Sequence, residues 1–111
     1  MDQGDIYLVN LDPVIHTETG KTRPGIILSV NAMNHNSPRV IVAPITSRIK
    51  KVYPFEIVIP PDVSGLKKES KIMIDQIRSL DKRRLIKKIG VLDKERLAKA
   101  CTIVKRLISP D

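Results

Sequence analysis

Residues 5–30 read DIYLVNLDPVIHTETGKTRPGIILSV: two apolar runs separated by a polar connection. Asp5–Leu11 (DIYLVNL) is a short apolar run that ends at Asp12-Pro13, a turn signal, and reads as a buried strand. Ile26–Val30 (IILSV) is rich in β-branched residues and reads as a second strand. The connection from Asp12 to Pro24 is long for an antiparallel pair and polar except for Val14 and Ile15. Loops of that length in a compact domain are usually functional or disordered. This one carries a carboxylate, a cation, a histidine and a glycine.

Further along the chain, Val40–Ala43 (VIVA) reads as a strand stopped by Pro44, and Phe55–Ile59 (FEIVI) as an alternating strand with Glu56 outward, stopped by Pro60-Pro61. Ser70–Asp75 (SKIMID) is a fifth strand that continues through Gln76 to Arg78. Five short strands with Gly and Pro punctuation predict a small, strongly bent antiparallel sheet or partial barrel. Helices come late. Asn31–His35 forms one turn, and Lys82–Ile86 is read as a short helix after an Asp81 cap. Lys94–Ile108 reads as a helix. Asp93 caps it, Leu92 and Leu97 form a hydrophobic staple, and Pro110 marks the stop. Its apolar residues Leu97, Ala100, Cys101, Val104, Leu107 and Ile108 define a face expected to lie on the sheet, with Cys101 as core filler.

A chain of 111 residues allows one domain, residues 1–111. Hydrophobic residues make up 41% and charged residues 29%, which excludes a disordered tail or a collagen-like fibre. No apolar run approaches the ~20 residues of a bilayer span. The start, Met1-Asp2-Gln3-Gly4-Asp5, lacks the basic and apolar regions of a signal peptide, and a lone Cys101 allows no internal disulfide. A cytoplasmic protein is expected. The net charge of +8 is lopsided: residues 1–47 carry three basic side chains against four acidic ones, whereas 48–111 carry seventeen against eight. The surplus gathers in Arg48/Lys50/Lys51, Lys67/Lys68/Lys71 and Lys82/Arg83/Arg84/Lys87/Lys88. Such a field attracts polyanions, so nucleic acid is the first partner to consider, with a solvated, solubility-keeping face as the alternative. The only aromatics are Tyr7, Tyr53 and Phe55, too few for a platform that grips single strands by stacking bases.

Familiar catalytic sets are missing. One Cys and two His do not make a zinc site, there is no P-loop, G-x-G-x-x-G or G-x-S-x-G, and the acidic residues are too scattered for a two-metal nuclease. No metal or cofactor is implied. What remains suits phosphoryl transfer in which RNA supplies its own 2′-hydroxyl nucleophile. The protein then needs only to align the nucleotide, neutralise the developing charge and move protons. Arg23 is the candidate for the charge, as a permanently cationic fork at the start of a strand; the alternative is a loop clamp paired with Glu18. Thr46-Ser47 lies where a strand end can hold a phosphate, or simply forms a turn. His16 and His35 read as exposed loop residues.

Read together, G-D-I-Y-x-V at 4–9, L-D-P at 11–13, E-x-G-x-x-R-P at 18–24, V-x-P-I-T-S at 42–47, D-Q-I-R-S-L-D at 75–81 and Ile89-Gly90-Val91-Leu92 resemble the MazF/PemK (Kid) family of toxin endoribonucleases. The resemblance runs in order along nearly the whole chain. It implies a mainly β, SH3-like antiparallel barrel with a C-terminal helix, the plasmid-maintenance-toxin fold, acting as a homodimer. It implies metal-independent cleavage of single-stranded RNA, leaving a 2′,3′-cyclic phosphate and a 5′-OH. It also implies inhibition by a cognate antitoxin that lays an extended acidic segment across the RNA groove. Carried onto matching positions, Arg23 and Thr46 are the catalytic pair, Glu18 assists from the loop, and Asp75 is the further acidic residue implicated in Kid-like members. Thr19, Lys21, Ser47, Arg48, Gln76 and Arg78 are the expected RNA-binding residues.

Departures stand at Leu8, where the family often has Trp, at Thr19, where it often has Gln, and at Thr17, where Kid-like members carry a histidine. Thr19 puts the sequence preference outside what the resemblance transfers. Two rival readings remain. One is a CcdB-like poison of DNA gyrase on the same barrel, which acts through a C-terminal tripeptide containing Trp; this sequence has no Trp and reads Ile108-Ser109-Pro110-Asp111 at its end. The other is an RNA-binding module without turnover.

Overall fold

The computed structural model describes all residues 1–111. Its strands are β1 (Asp5–Asn10), β2 (Thr22–Ile27), β3 (Arg39–Thr46), β4 (Glu56–Ile59), β5 (Ser70–Met73), β6 (Arg78–Asp81) and β7 (Leu85–Val91). Helix α1 (Asn31–Asn36) joins β2 to β3, and α2 (Lys94–Leu107) follows β7. All strand pairings are antiparallel, in the order β4-β5-β3-β2-β1-β7, with β6 also on β3. The result is the expected mainly β architecture with a C-terminal helix.

Apolar runs such as Val40–Ala43 are continuous because both faces of the sheet are covered. Ile6, Ile26, Ala43, Ile45 and Ile72 enter one core, which Ala100 and Ile103 of α2 complete; Val9, Ile27, Val40, Val42 and Leu80 enter a second. Asp93 caps α2 as expected, accepting a hydrogen bond from Arg96 N–H at 3.0 Å. The helix face differs from the sequence reading at its end. Ile103 is buried, whereas Leu107 and Ile108 are exposed because the helix runs past the edge of the core.

Four other boundaries differ. Strand β2 begins at Thr22 and ends at Ile27 rather than spanning Ile26–Val30, because Arg23 and Pro24 pair with Val9 and Leu8 and bring the loop base back to Lys21. There Leu11 N–H donates to the Lys21 carbonyl at 2.9 Å. Strand β3 does not stop at Pro44. Leu28 N–H donates to the Ile41 carbonyl, so residues 41 and 43 face β2 and the Pro44 nitrogen faces the opposite edge. On that edge β6 pairs with 39–42 and β5 with 45–46, and a 3₁₀ turn, Ile74–Gln76, separates them. The missing N–H of proline therefore falls where the partner strand leaves the ladder. The predicted fifth strand is thus two strands bent around that turn.

Lys82–Ile86 is not a helix beyond the 3₁₀ turn Lys82–Arg84; Leu85 opens β7. Two register shifts against β1 break its alternation, and its exposed Lys87 and Lys88 protect a sheet edge. Gly90 passes so close to Ser64 that an added Cβ would sit 1.9 Å from the Ser64 carbonyl oxygen. No helix is long and apolar enough to cross a membrane.

Candidate active site

Arg23 and Thr46 are 23 residues apart in sequence, and the sheet brings them to one depression of about 300 Å³. Its floor is strand-built. Thr46 at the end of β3 stands opposite Lys71 of β5, and Met73 lies two residues further along β5 on the same face. Opposed residues in an antiparallel pair project from one face with Cβ atoms about 5 Å apart. The alternate positions Ile45 and Ile72 point into the core. The wall is the loop Glu18-Thr19-Gly20 together with Arg23 of β2, and Arg48 completes the rim.

Thr46 is buried, and its Oγ1 accepts a hydrogen bond from Arg48 N–H at 3.2 Å. The hydroxyl proton is left to donate. Arg23 Nε donates to the Gly20 carbonyl at 3.0 Å, which aims the guanidinium, and the side chain has no carboxylate partner. The Glu18 clamp considered for it is not formed: Glu18 Oε1 accepts instead from Ile15 N–H at 2.7 Å, inside its own loop. Arg23 thus retains an unneutralised charge facing a polar hollow, the arrangement that phosphate binding requires.

Glu18 and Thr19 also form one side of a second depression, of about 520 Å³, shared with Asp75, Gln76 and Arg78. Asp75 is exposed on the 3₁₀ turn there and does not line the hollow that holds Arg23 and Thr46. Gln76 ties the two together, its Oε1 accepting from Thr19 N–H at 2.8 Å. Arg78 Nη1 donates to the Leu11 carbonyl at 3.0 Å, fixing the base of the loop. Arg78 also joins a third hollow, lined by Arg39, Arg83 and Arg84 together with Asp12 and Asp81, the last paired with Arg83 at 3.0 Å.

Two of the expected RNA-binding residues, Lys21 and Ser47, line none of these hollows; Lys21 N–H instead donates to Asp12 Oδ1 at 2.7 Å. His16 and His35 are exposed and lie outside all three hollows; His16 is in the loop as the sequence suggested, whereas His35 is on α1, its Nε2 2.8 Å from Asp2 Oδ1.

The sequence reading passed over Lys71 and Glu56. Glu56 does point away from the Ile57 and Ile59 core face, yet it is buried rather than solvated. Lys71 Nζ lies 2.9 Å from Glu56 Oε1, and both side chains are sheltered from water. The available signal was alternation: Glu56 in FEIVI and Lys71 in SKIMI both occupy the face opposite the isoleucines.

A bent antiparallel sheet with a C-terminal helix, and a cationic groove built on the strand ends beside a long loop, define a small β protein suited to binding a polyanion. The model for the PemK-like, MazF-like toxin of type II toxin–antitoxin systems matches residues 2–108. The Endoribonuclease MazF of Staphylococcus saprophyticus subsp. saprophyticus is 44% identical over 90 residues, covering 80% of this chain and 75% of that protein. The crystal structure of MazF from Deinococcus radiodurans superposes with a TM-score of 0.85 at 30% identity, covering 97% of this chain and 96% of that one. A MazE-MazF crystal structure from the same organism gives 0.77 at 28% identity, covering 100% and 97%. This chain belongs to the PemK-like, MazF-like toxin family.

Proposed function

We propose that the chain is a sequence-specific, metal-independent endoribonuclease, the toxin of a toxin–antitoxin pair, cutting single-stranded RNA such as mRNA. The carrying observation is the unpaired guanidinium of Arg23 and the hydroxyl of Thr46 lining one polar hollow. The ribose 2′-oxygen attacks the adjacent phosphorus, the P–O2′ bond forms and the P–O5′ bond breaks. The products are a 2′,3′-cyclic phosphate and a 5′-OH. Arg23 faces the charge that develops on the non-bridging oxygens, where an oriented cation is worth several kcal/mol. The Thr46 hydroxyl donates a hydrogen bond to the same phosphate, and the departing 5′-oxygen takes its proton from solvent water. Glu18 is the only carboxylate lining this hollow, and one of its oxygens is free of the Ile15 bond; we assign it to receive or relay the 2′-OH proton.

Asp75, Gln76 and Arg78 lie one hollow away and serve the neighbouring nucleotide, with Thr19 on the shared wall. Arg48 contributes cationic charge to the rim, Lys21 acts only through its charge at a distance, and Ser47, uncharged and outside the hollow, has no assigned contact. We extend the reading further: residues 1–111 act as one toxin domain in the cytoplasm, as a homodimer, inhibited by an antitoxin occupying the RNA groove. The test is incubation of purified protein with mixed-sequence RNA in EDTA. Fragments with 5′-OH and cyclic phosphate ends support the reading. Retention of intact RNA supports a binding module, and indifference to RNA together with gyrase inhibition supports a CcdB-like poison.

A further inference from the structure

Lys71 holds an unusual position for a lysine in a basic surface cluster. Its ammonium donates to Glu56 Oε1 at 2.9 Å and to the Lys51 carbonyl at 2.7 Å, and stands 5.9 Å from the centre of the Tyr53 ring. Two of its three N–H donors are therefore committed, and one is free. The residue lines the same hollow as Arg23, Thr46 and Arg48 and is the strand partner of Thr46. A buried ion pair is weak evidence for stability, because desolvation offsets its attraction and apolar residues of similar volume often serve as well. What the pair does provide is a cation fixed in direction on rigid strands, at the edge of a groove meant for polyanions.

Resting on the endoribonuclease reading above, we infer that Lys71 is a phosphate-binding residue of the cleavage site. It gives its third N–H to a non-bridging oxygen of the RNA lying over Thr46, with Glu56 as the counter-ion that positions the ammonium and moderates its grip. In free protein Glu56 neutralises Lys71; with RNA bound the ammonium lies between two anions. Arg23 then meets the phosphate from the loop side and Lys71 from the sheet side.

The test measures binding of a mixed-sequence 2′-O-methyl RNA pool, which lacks the attacking hydroxyl, across a salt series, together with cleavage of the unmodified pool. Lys71→Met alone strands a buried carboxylate and can fail to fold, so the paired variant Lys71→Met/Glu56→Gln is the decisive one. It is expected to fold and to bind the 2′-O-methyl pool about tenfold more weakly at ~0.1 M salt. The lost pair carries no net charge, so its plot of log affinity against log salt should keep the wild-type slope, short of the ~0.7 that an unpaired cation on one single-strand phosphate would remove. Glu56→Gln keeps an acceptor for Lys71 and removes the competing charge, so it should bind several-fold more tightly than wild type. A paired variant with wild-type affinity, or a Glu56→Gln protein that binds no more tightly, overturns the role of Lys71 while wild-type cleavage leaves the nuclease reading intact. A wild-type protein that neither binds nor cuts RNA overturns both.

Discussion

The two sides of the Arg23–Thr46 hollow are held by different means. On the floor, Thr46, Lys71 and Met73 are fixed by the β3–β5–β4 ladder, whose opposite face carries Ile45, Ile57 and Ile72 into the main core. On the wall, residues 12–21 have no strand of their own and rest on individual bonds: Asp12 to Lys21 N–H, Glu18 to Ile15 N–H, Gln76 to Thr19 N–H and Gly20 to Arg23. Positions on the floor are thus coupled to global stability. Those on the wall are coupled to local order, which a single side chain can alter without unfolding the molecule.

Arg23→Ala tests the separation most severely. Cleavage should fall about 10³-fold or more, the scale on which a charge-stabilising arginine acts in phosphoryl transfer. The side chain is only half-buried, and its one internal bond is to a loop carbonyl, so thermal unfolding should move little. A melted protein, or one that cuts at the wild-type rate, would place Arg23 among the structural residues.

Ile72→Ala probes the underside of the floor. The residue is fully buried in the main core, and such truncations cost about 2–5 kcal/mol. Denaturant titration should show that loss. Because Ile72 lies between Lys71 and Met73, cleavage should decline along with the folded fraction rather than separately from it. Loss of activity at unchanged stability would mean that the floor, too, responds locally.

How much of this was legible in the sequence follows the same division. The existence of the floor strands, though not their ends, the α2 cap at Asp93 and the long loop between the first two strands were readable because each depends on local signals: β-branched runs, a capping residue, Pro and Gly. Arg23 and the Thr46-Ser47 strand end stood out by residue chemistry and local context, their catalytic pairing and the role of Glu18 came from motif resemblance, and the structure supplies the convergence that no local signal contains. Pro44 misled because a proline normally ends a central strand, and the gap it fills on the β5/β6 edge is a tertiary fact. Strand β7 was hidden by its register shifts, which destroy period two. Lys71 was counted with Lys67 and Lys68 as surface charge, since only the pairing of β4 with β5 shows that Glu56 covers it.

Gln76→Ala sharpens the comparison from the loop side. Removing the acceptor of Thr19 N–H should loosen the wall and lower kcat/KM by roughly tenfold, about 1.4 kcal/mol. Gln76 also faces the groove, so activity alone does not separate anchoring from RNA contact. Hydrogen exchange in RNA-free protein does: the Thr19 amide should exchange faster in the variant while amides of β3 and β5 stay protected. Unchanged protection at Thr19 would leave direct RNA contact as the role of Gln76.

The smallest effect is expected far from both sides, at the cap of α2. Asp93 Oδ1 lies 2.9 Å from Arg96 Nη1, and that hydrogen bond is the main cause holding the Asp93 carboxyl below its ordinary 3.8. A carboxyl depressed in the folded state contributes stability that is complete above the unfolded value and is lost as pH falls through the folded one. Asn caps helices as well as Asp does, so Asp93→Asn removes the charge and spares the cap. At pH 7 the variant should melt only about 2–3 °C below wild type, as suits a partly exposed pair worth ~0.5 kcal/mol. That gap should begin to narrow as pH falls below the ordinary 3.8 and close only once it has passed the lower folded value, where the wild-type carboxylate takes up its proton. Cleavage at pH 7 should be unaffected, because Asp93 lies outside the hollows that hold Arg23 and Asp75. A change in cleavage rate would show that the helix and the loop wall communicate, and the division between floor and wall would no longer describe how this molecule is held together.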